Sequence, residues 1–306
     1  MYNIRMNVIG IGTAACDYVG IIPHYPRLDD KIKMEHLEIQ GGGPVATALV
    51  TLSRLGIKTF YAGVLGDDNF GDFILKNLHE NNINTDFVQI EKGIRSPFAF
   101  CVAHVENGKR SVFSIKGDKM EPDLSDDYLK NIIETADFFH IDGSVPDLSM
   151  EVLRQRKNIP VMIDLGAIKP KILDIMPLCE YRIASYQFAR EFTGNDKPDI
   201  KSFLVDIFDK NTILSGITLG EHGSTFYDGK AFLHIDSFKV EKIKDTTGCG
   251  DVFHGAFIYG LLMGWETKKI GRFSSFMAAE KAKHLGGQKG IPKLKDIDLK
   301  NIFKSV

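Results

Sequence analysis

From Phe138 onward this 306-residue chain keeps repeating one unit: a short apolar run, a turn, then a stretch with helical spacing. "FFHIDG", "PVMIDLG", "YRIAS" and "TILSGITLG" are the apolar runs. Helical stretches near Asp126–Thr135, Leu148–Arg156 and Tyr186–Phe192 separate them. Runs this short, apolar throughout rather than alternating, suit parallel strands covered by helices on both faces. The N-terminal part reads the same way. "MNVIGIG" and "TFYAGVLG" are buried strands, while "GGGPVATALVTLSRLG" and "NFGDFILKNLHENN" are helices, the first with Pro near its start and Gly at its end. A "STFYDGKAFLHI" hairpin and two closing helices, about 247–264 and 268–284, complete the pattern. The expectation is an α/β fold with a mainly parallel central sheet, helices on both faces, and one domain over 1–306.

Two segments break the alternation. Residues 17–40 and about 87–117 are β-only in texture: "DDKIKMEHLEIQ" alternates charged and apolar residues, and "PFAFCVAHVENGKRSVFSI" carries the hairpin signal Asn107-Gly108. The expectation is a separate small sheet, inserted twice, lying over one edge of the large sheet as a lid. Its apolar face would close on the core or pair with the lid of a second copy, so a homodimer through the lid is expected.

Net charge is −2, with no basic stripe, which excludes a nucleic-acid partner. No apolar run approaches the ~18 residues of a membrane span. The four cysteines, Cys16, Cys101, Cys179 and Cys249, form no C-x-x-C pair, as expected of a reduced, cytoplasmic protein.

The chemistry is concentrated in "DTTGCGDVFHGAF", Asp245 to Phe257. A helix N-terminus presents unpartnered amides and partial positive charge, and small residues before it let those amides converge on an anion. The amides of Gly248, Cys249 and Gly250 would form that cradle, with Asp251 on the first helical turn beside it. An acid beside a phosphate cradle makes sense if it accepts a proton from a hydroxyl that attacks the phosphoryl group. The alternative is an acid that merely favours the helix dipole, after glycines that merely make a turn. His254, one turn on, is read either as touching that acid or the substrate, or as a packed helix histidine. Asp142 is read as lining the site and His140 as core; Asp164 and Lys169 share a strand end, with Lys169 read as a surface lysine.

This stretch resembles the C-terminal motif of the ribokinase family, also called PfkB carbohydrate kinases. The resemblance includes "GGGPVATALVTLSRLG", "GVLGDDNFG", "ITLGEHGS" and "GGQKGIP", in order along nearly the whole chain. It implies a ribokinase-like fold and an ATP-dependent kinase, using Mg²⁺, that phosphorylates a hydroxyl of a sugar, ketose or sugar derivative. It further implies Asp251 as the base, Gly248, Cys249 and Gly250 as the anion hole, and Asp17, Gly42 and Gly43 as sugar contacts. Thr218, Gly220 and Gly223 match nucleotide contacts. Asp245 and Thr247 match positions that bind a monovalent cation such as K⁺ in members that use one.

Three departures stand out. Thr47 replaces an asparagine that touches substrate. The family's Asn-x-x-Glu reads "SYQF" here, placing Ser185 and Phe188 on the nucleotide and magnesium side. With "GGGP" and "DVFHGA", and with Lys31 on the lid, these make the chain resemble the sulfofructose-kinase branch more than ribokinase itself. Yet Ser144 stands where that branch carries a basic residue, so positive charge toward the acceptor falls to lid residues such as Lys31 and Arg110. A nucleoside kinase on the same scaffold is the second reading, with Phe98, Phe100 and Phe113 in the lid. A non-catalytic sugar or nucleotide sensor is the third.

Overall fold

The computed structural model describes residues 6–104 and 110–304. In chain order, β1 (Asn7–Ile11), β2 (Ala15–Ile22) and β3 (His36–Gly42) precede α1 (Pro44–Arg54), β4 (Lys58–Gly66), α2 (Asn69–Glu80) and β5 (Ile83–Glu91). The strands β6 (Phe98–His104) and β7 (Arg110–Ile115) follow, then α3 (Asp126–Thr135), β8 (Phe138–Ile141), α4 (Pro146–Gln155) and β9 (Val161–Leu165). Next come α5 (Ile172–Ile175), β10 (Tyr181–Ser185), α6 (Tyr186–Thr193), α7 (Ile200–Asp206) and β11 (Leu214–Thr218). The described chain closes with β12 (Ser224–Tyr227), β13 (Phe232–Ile235), α8 (Cys249–Leu262), α9 (Thr267–Ala282) and a last short helical turn.

The large sheet has nine strands in the order β13-β12-β11-β10-β9-β8-β1-β4-β5. It is parallel from β5 to β11, and β12 and β13 add an antiparallel edge. Successive side chains of a strand point to opposite faces, so each inner strand feeds two cores. Val8, Tyr61, Phe138 and Met162 enter one core, against α1, α8 and α9. Their neighbours Ile9, Phe60, Phe139 and Ile163 enter the other, against α3, α4, α6 and α7. The expected α/β sheet with helices on both faces is present.

The lid is a four-stranded sheet, β3-β2-β6-β7. β2 and β6 pair in parallel because the α1-β4-α2-β5 crossover lies between them, while β3 and β7 flank them antiparallel. Two expected boundaries are corrected. Residues 87–91 belong to β5 of the large sheet, so the second lid segment begins at Phe98. As an edge strand, β5 keeps one face wet and so alternates just as a lid strand does. Likewise, the strand read from Asp29 begins only at His36, because Asp29 sits in a left-handed turn at φ 68. The Asn107-Gly108 turn lies outside the described residues.

Candidate active site

The carboxyl ends of the parallel strands, the N-terminus of α8 and the inner face of the lid meet at one cleft, where open α/β sheets bind ligands. α8 starts at Cys249 after Gly248, whose φ of 75 only glycine adopts freely. There is also no room for a larger residue: a Cβ on Gly248 would lie 2.7 Å from Gly287 Cα. The first closed helical bond runs from Val252 N–H to Gly248 O, 2.9 Å, leaving the amides before it without helical partners. Of these, the Cys249 amide turns back to Thr246 O at 3.3 Å. The Cys249 thiol points away, 3.5 Å from Ala278 O in α9. The space above Gly250 is open, with nothing within 4 Å of where a Cβ would be.

Asp251 stands on this first turn. Burial raises its pKa to about 6, and the charge of Asp164 adds to the rise. Across the cleft on β2, Asp17 is 5% exposed and is raised to about 7 by burial, then by the charges of Asp251 and Asp245. Gly42 faces it on β3, and a Cβ at Gly42 would lie 1.9 Å from Asp17 Oδ2, so the carboxylate needs glycine opposite it. Gly43 is the N-cap residue of α1, and Thr47 is buried three residues into that helix. Gln288 reaches Thr47 Oγ1 at 3.5 Å and keeps its own Oε1 buried without a partner.

The lid reaches the anion turn through Arg110, whose guanidinium lies 3.3 Å from Thr246 Oγ1. Its charge lowers the Asp251 pKa, against the larger effects of burial and the Asp164 charge. Lys31 is exposed in the connection between β2 and β3.

Asp142 ends β8 almost fully buried, with its oxygens accepting from Thr13 N–H (3.1 Å) and Ser144 N–H (2.8 Å). Two of the roughly four acceptor positions of this carboxylate are thus taken by loop amides. Lys169 is not the surface lysine expected: its ammonium donates to Asp142 O (2.7 Å) and Ser144 Oγ (2.9 Å), knitting two strand ends together. His254 does not reach out as a substrate group. Its Nδ1 lies 3.2 Å from Asp164 Oδ2, and both side chains are buried. Burial opposes the charge on His254, but Asp164 overrides it and the pKa rises. Burial likewise opposes the charge on Asp164, and His254 holds that carboxyl low. His140 is core, as expected: burial and the neighbouring His254 charge depress it to about 4.

On the nucleotide side, Thr218 ends β11, and Gly220 and Gly223 turn the chain at φ 60 and 83. Ser185 caps α6: its hydroxyl donates to Gly166 O (2.7 Å) and accepts from Phe188 N–H (3.0 Å). Phe188 is a fully buried core side chain. The residues at these two positions do not fit a magnesium-side pair. Among the described residues, no group of three or more His, Cys, Asp or Glu could hold a metal ion.

One site residue was missed. Lys281 is completely buried on α9 and donates to Asp245 O at 2.9 Å. The signal was readable, since Ile270, Phe273, Ser274, Met277 and Lys281 share the helical spacing of a core stripe.

A family model described as pfkB family carbohydrate kinase matches residues 7–294. The chain is 26% identical to a ribokinase of Bacillus subtilis, covering 95% of this chain and 98% of that one. It is 31% identical to a fructokinase of Solanum tuberosum, covering 72% and 71%. The solved Arabidopsis thaliana ribokinase complexed with ribose and ATP superposes with a TM-score of 0.83 at 19% identity, covering 99% of this chain and all of that one. The ribokinase-family resemblance and the ribokinase-like fold are borne out.

Proposed function

The chain belongs to the pfkB carbohydrate kinase family, and from that premise we propose that it moves the γ-phosphoryl group of ATP to a hydroxyl of a sugar, ketose or sugar derivative held between lid and sheet. The observation that carries this is Asp251, a buried acid raised to about 6 on the first turn of a helix whose bare N-terminus opens on empty space. Asp251 takes the acceptor's proton as its oxygen bonds to the γ-phosphorus and ADP departs. The amides of Gly248 and Gly250, with that of Cys249 once it leaves Thr246 O, hold the charge on the phosphoryl oxygens, and Arg110 supplies a cation from the lid. Magnesium travels with the nucleotide phosphates, and no step is assigned to protein-held magnesium.

Asp17, at about 7, is partly protonated near neutrality and so both donates to and accepts from sugar hydroxyls. Asp17 and Asp251 are the carboxyl groups set toward the acceptor, Asp142 and Asp164 are buried close behind, and Lys169 is already bonded to Asp142 O and Ser144. That balance supports an uncharged polyol over a sulfonated or phosphorylated acceptor. The nucleoside reading loses its candidate slot: Phe98, Phe100 and Phe113 share the lid face opposite Asp17, and Phe98 stacks on Phe70 at 5.1 Å. Four free cysteines support a reducing, cytoplasmic setting. Among the described residues no helix is long and apolar enough to cross a membrane.

The test is ADP release across sugars, sugar phosphates and nucleosides, with Asp251→Asn beside wild type. Loss of roughly 10³-fold in kcat with the fold intact is expected. Full activity in Asp251→Asn removes the base assignment. Tight ligand binding without ADP release from any acceptor favours the sensor.

A further inference from the structure

Every polar atom of Asp245 is held by this chain's own donors or acceptors. Its amide donates to Ala282 O at 3.3 Å. Its Oδ1 accepts from Thr247 N–H (2.8 Å) and Thr247 Oγ1–H (2.7 Å), and its Oδ2 accepts from Gly286 N–H (2.8 Å). Its carbonyl oxygen accepts from the Lys281 ammonium at 2.9 Å. Asp245 and Lys281 are both 0% exposed.

The ribokinase resemblance implies a monovalent cation at Asp245 and Thr247. Such an ion needs oxygens free to replace its hydration shell. Here the carboxylate is taken by three donors, and the carbonyl faces a fixed positive charge. A second cation beside that ammonium would be repelled at close range in a poorly screened interior. The residues present do not fit a K⁺ site.

Lys281 also needs an explanation as a core residue. Its position on the α9 stripe would be filled by an aliphatic side chain at lower cost, since burying an ammonium is worth several kcal/mol of penalty. The ammonium has the charge of a potassium ion and a similar size. It sits where the 245–251 loop meets α9, against the carbonyl of the residue that starts the anion turn.

We propose that Lys281 is a built-in replacement for the monovalent cation: its ammonium fixes the Asp245 carbonyl, sets the anion turn and lends it positive charge, so that the protein works without K⁺. This rests on the kinase reading for its consequence in catalysis. Its structural half is independent of that reading and is tested without turnover.

Melting temperature and ²⁰⁵Tl NMR, with Tl⁺ as the potassium probe, are measured in KCl, NaCl and choline chloride at equal ionic strength. Wild type is expected to melt alike in all three and to show no saturable Tl⁺ binding. Lys281→Ala, which opens the space, is expected to lose about 4 °C or more in choline and to regain it with K⁺ but not with Na⁺ or choline. Lys281→Met keeps the stem and removes the charge; it is expected to lower kcat/KM about a hundredfold, the scale of a misplaced catalytic loop. Saturable, K⁺-selective binding or stabilisation in wild type overturns the proposal whatever the variants do. So does a Lys281→Met protein with unchanged melting and unchanged turnover in choline. If wild type shows no turnover on any acceptor, the kinase reading fails while the melting and NMR results still decide the role of Lys281.

Discussion

Asp251 is a weak acid in an unfavourable place, and the place sets its chemistry. Burial, then the Asp164 charge, lifts it to about 6, and Asp17 lies near 7. The two charges act on one another, so titration belongs to the pair. If Asp251 is the base proposed above, it must be ionised to act, so kcat/KM should rise with pH through about 6 to 7 and level above it. An unperturbed aspartate, at 3.8, would keep full activity at pH 5; a profile flat down to that pH would sink the assignment. The linkage sign is also fixed. Both folded-state values are raised, so between about 4 and 7 these two carboxyls hold more protons in the folded chain than in the unfolded one, and their contribution to stability falls as pH rises through that window. Asp251→Asn should therefore melt higher than wild type at pH 8, and the gap should close toward pH 4. The place of Asp251 on the first helical turn was legible because its two neighbouring glycines and its helix start are local in sequence. The partnership of His254 with Asp164 was not, because it joins residues 90 positions apart through the packing of α8 on β9. Lys281 was legible by spacing alone, but a lysine on a helix reads by default as solvated.

At the scale of elements, the alternating strand-helix units were readable because buried parallel strands carry unbroken apolar runs. The lid boundary was misplaced because the wet edge of a large sheet and a lid strand share the same alternation. Among the described residues, Arg110 on β7 joins the lid to the 245–251 turn, and its partner Thr246 lies between Asp245 and Thr247. This contact places the Arg110 charge beside the turn that carries Asp251. Arg110→Ala should raise the KM for acceptor and lower kcat by about tenfold, as expected of a group that helps complete the site on closure. Because the Arg110 charge lowers the Asp251 pKa, its removal should also move the acid limb of the rate profile to higher pH. A limb that stays in place while KM rises would mean that Arg110 binds acceptor without touching the electrostatics of the base.

For the whole molecule, the lid sheet has two faces of opposite character. Asp17, Val19, Ala99 and Cys101 point into the cleft side, where Val19, Ala99 and Cys101 form their own small core with Leu285. By register, Leu37, Ile39, Phe100, Phe113 and Ile115 share the outer face. Leu37, Ile39, Phe113 and Ile115 are 51%, 48%, 60% and 42% exposed. Contiguous exposed apolar patches of this kind mark association surfaces, and both sheet edges, β3 and β7, remain open to pairing. The homodimer expected from the sequence would cover this face with the same face of a second lid, a two-fold arrangement that closes on itself. Sedimentation should give twice the 34.2 kDa of one chain, and Ile39→Lys should shift the equilibrium to monomer by placing a charge at the centre of the patch. The lid carries Asp17 and Arg110, so a lid steadied by its partner links assembly to catalysis. Specific activity should then fall on dilution through the dissociation range, and Ile39→Lys should already sit at the low plateau. A monomer at all concentrations with full specific activity would show that each lid closes unaided.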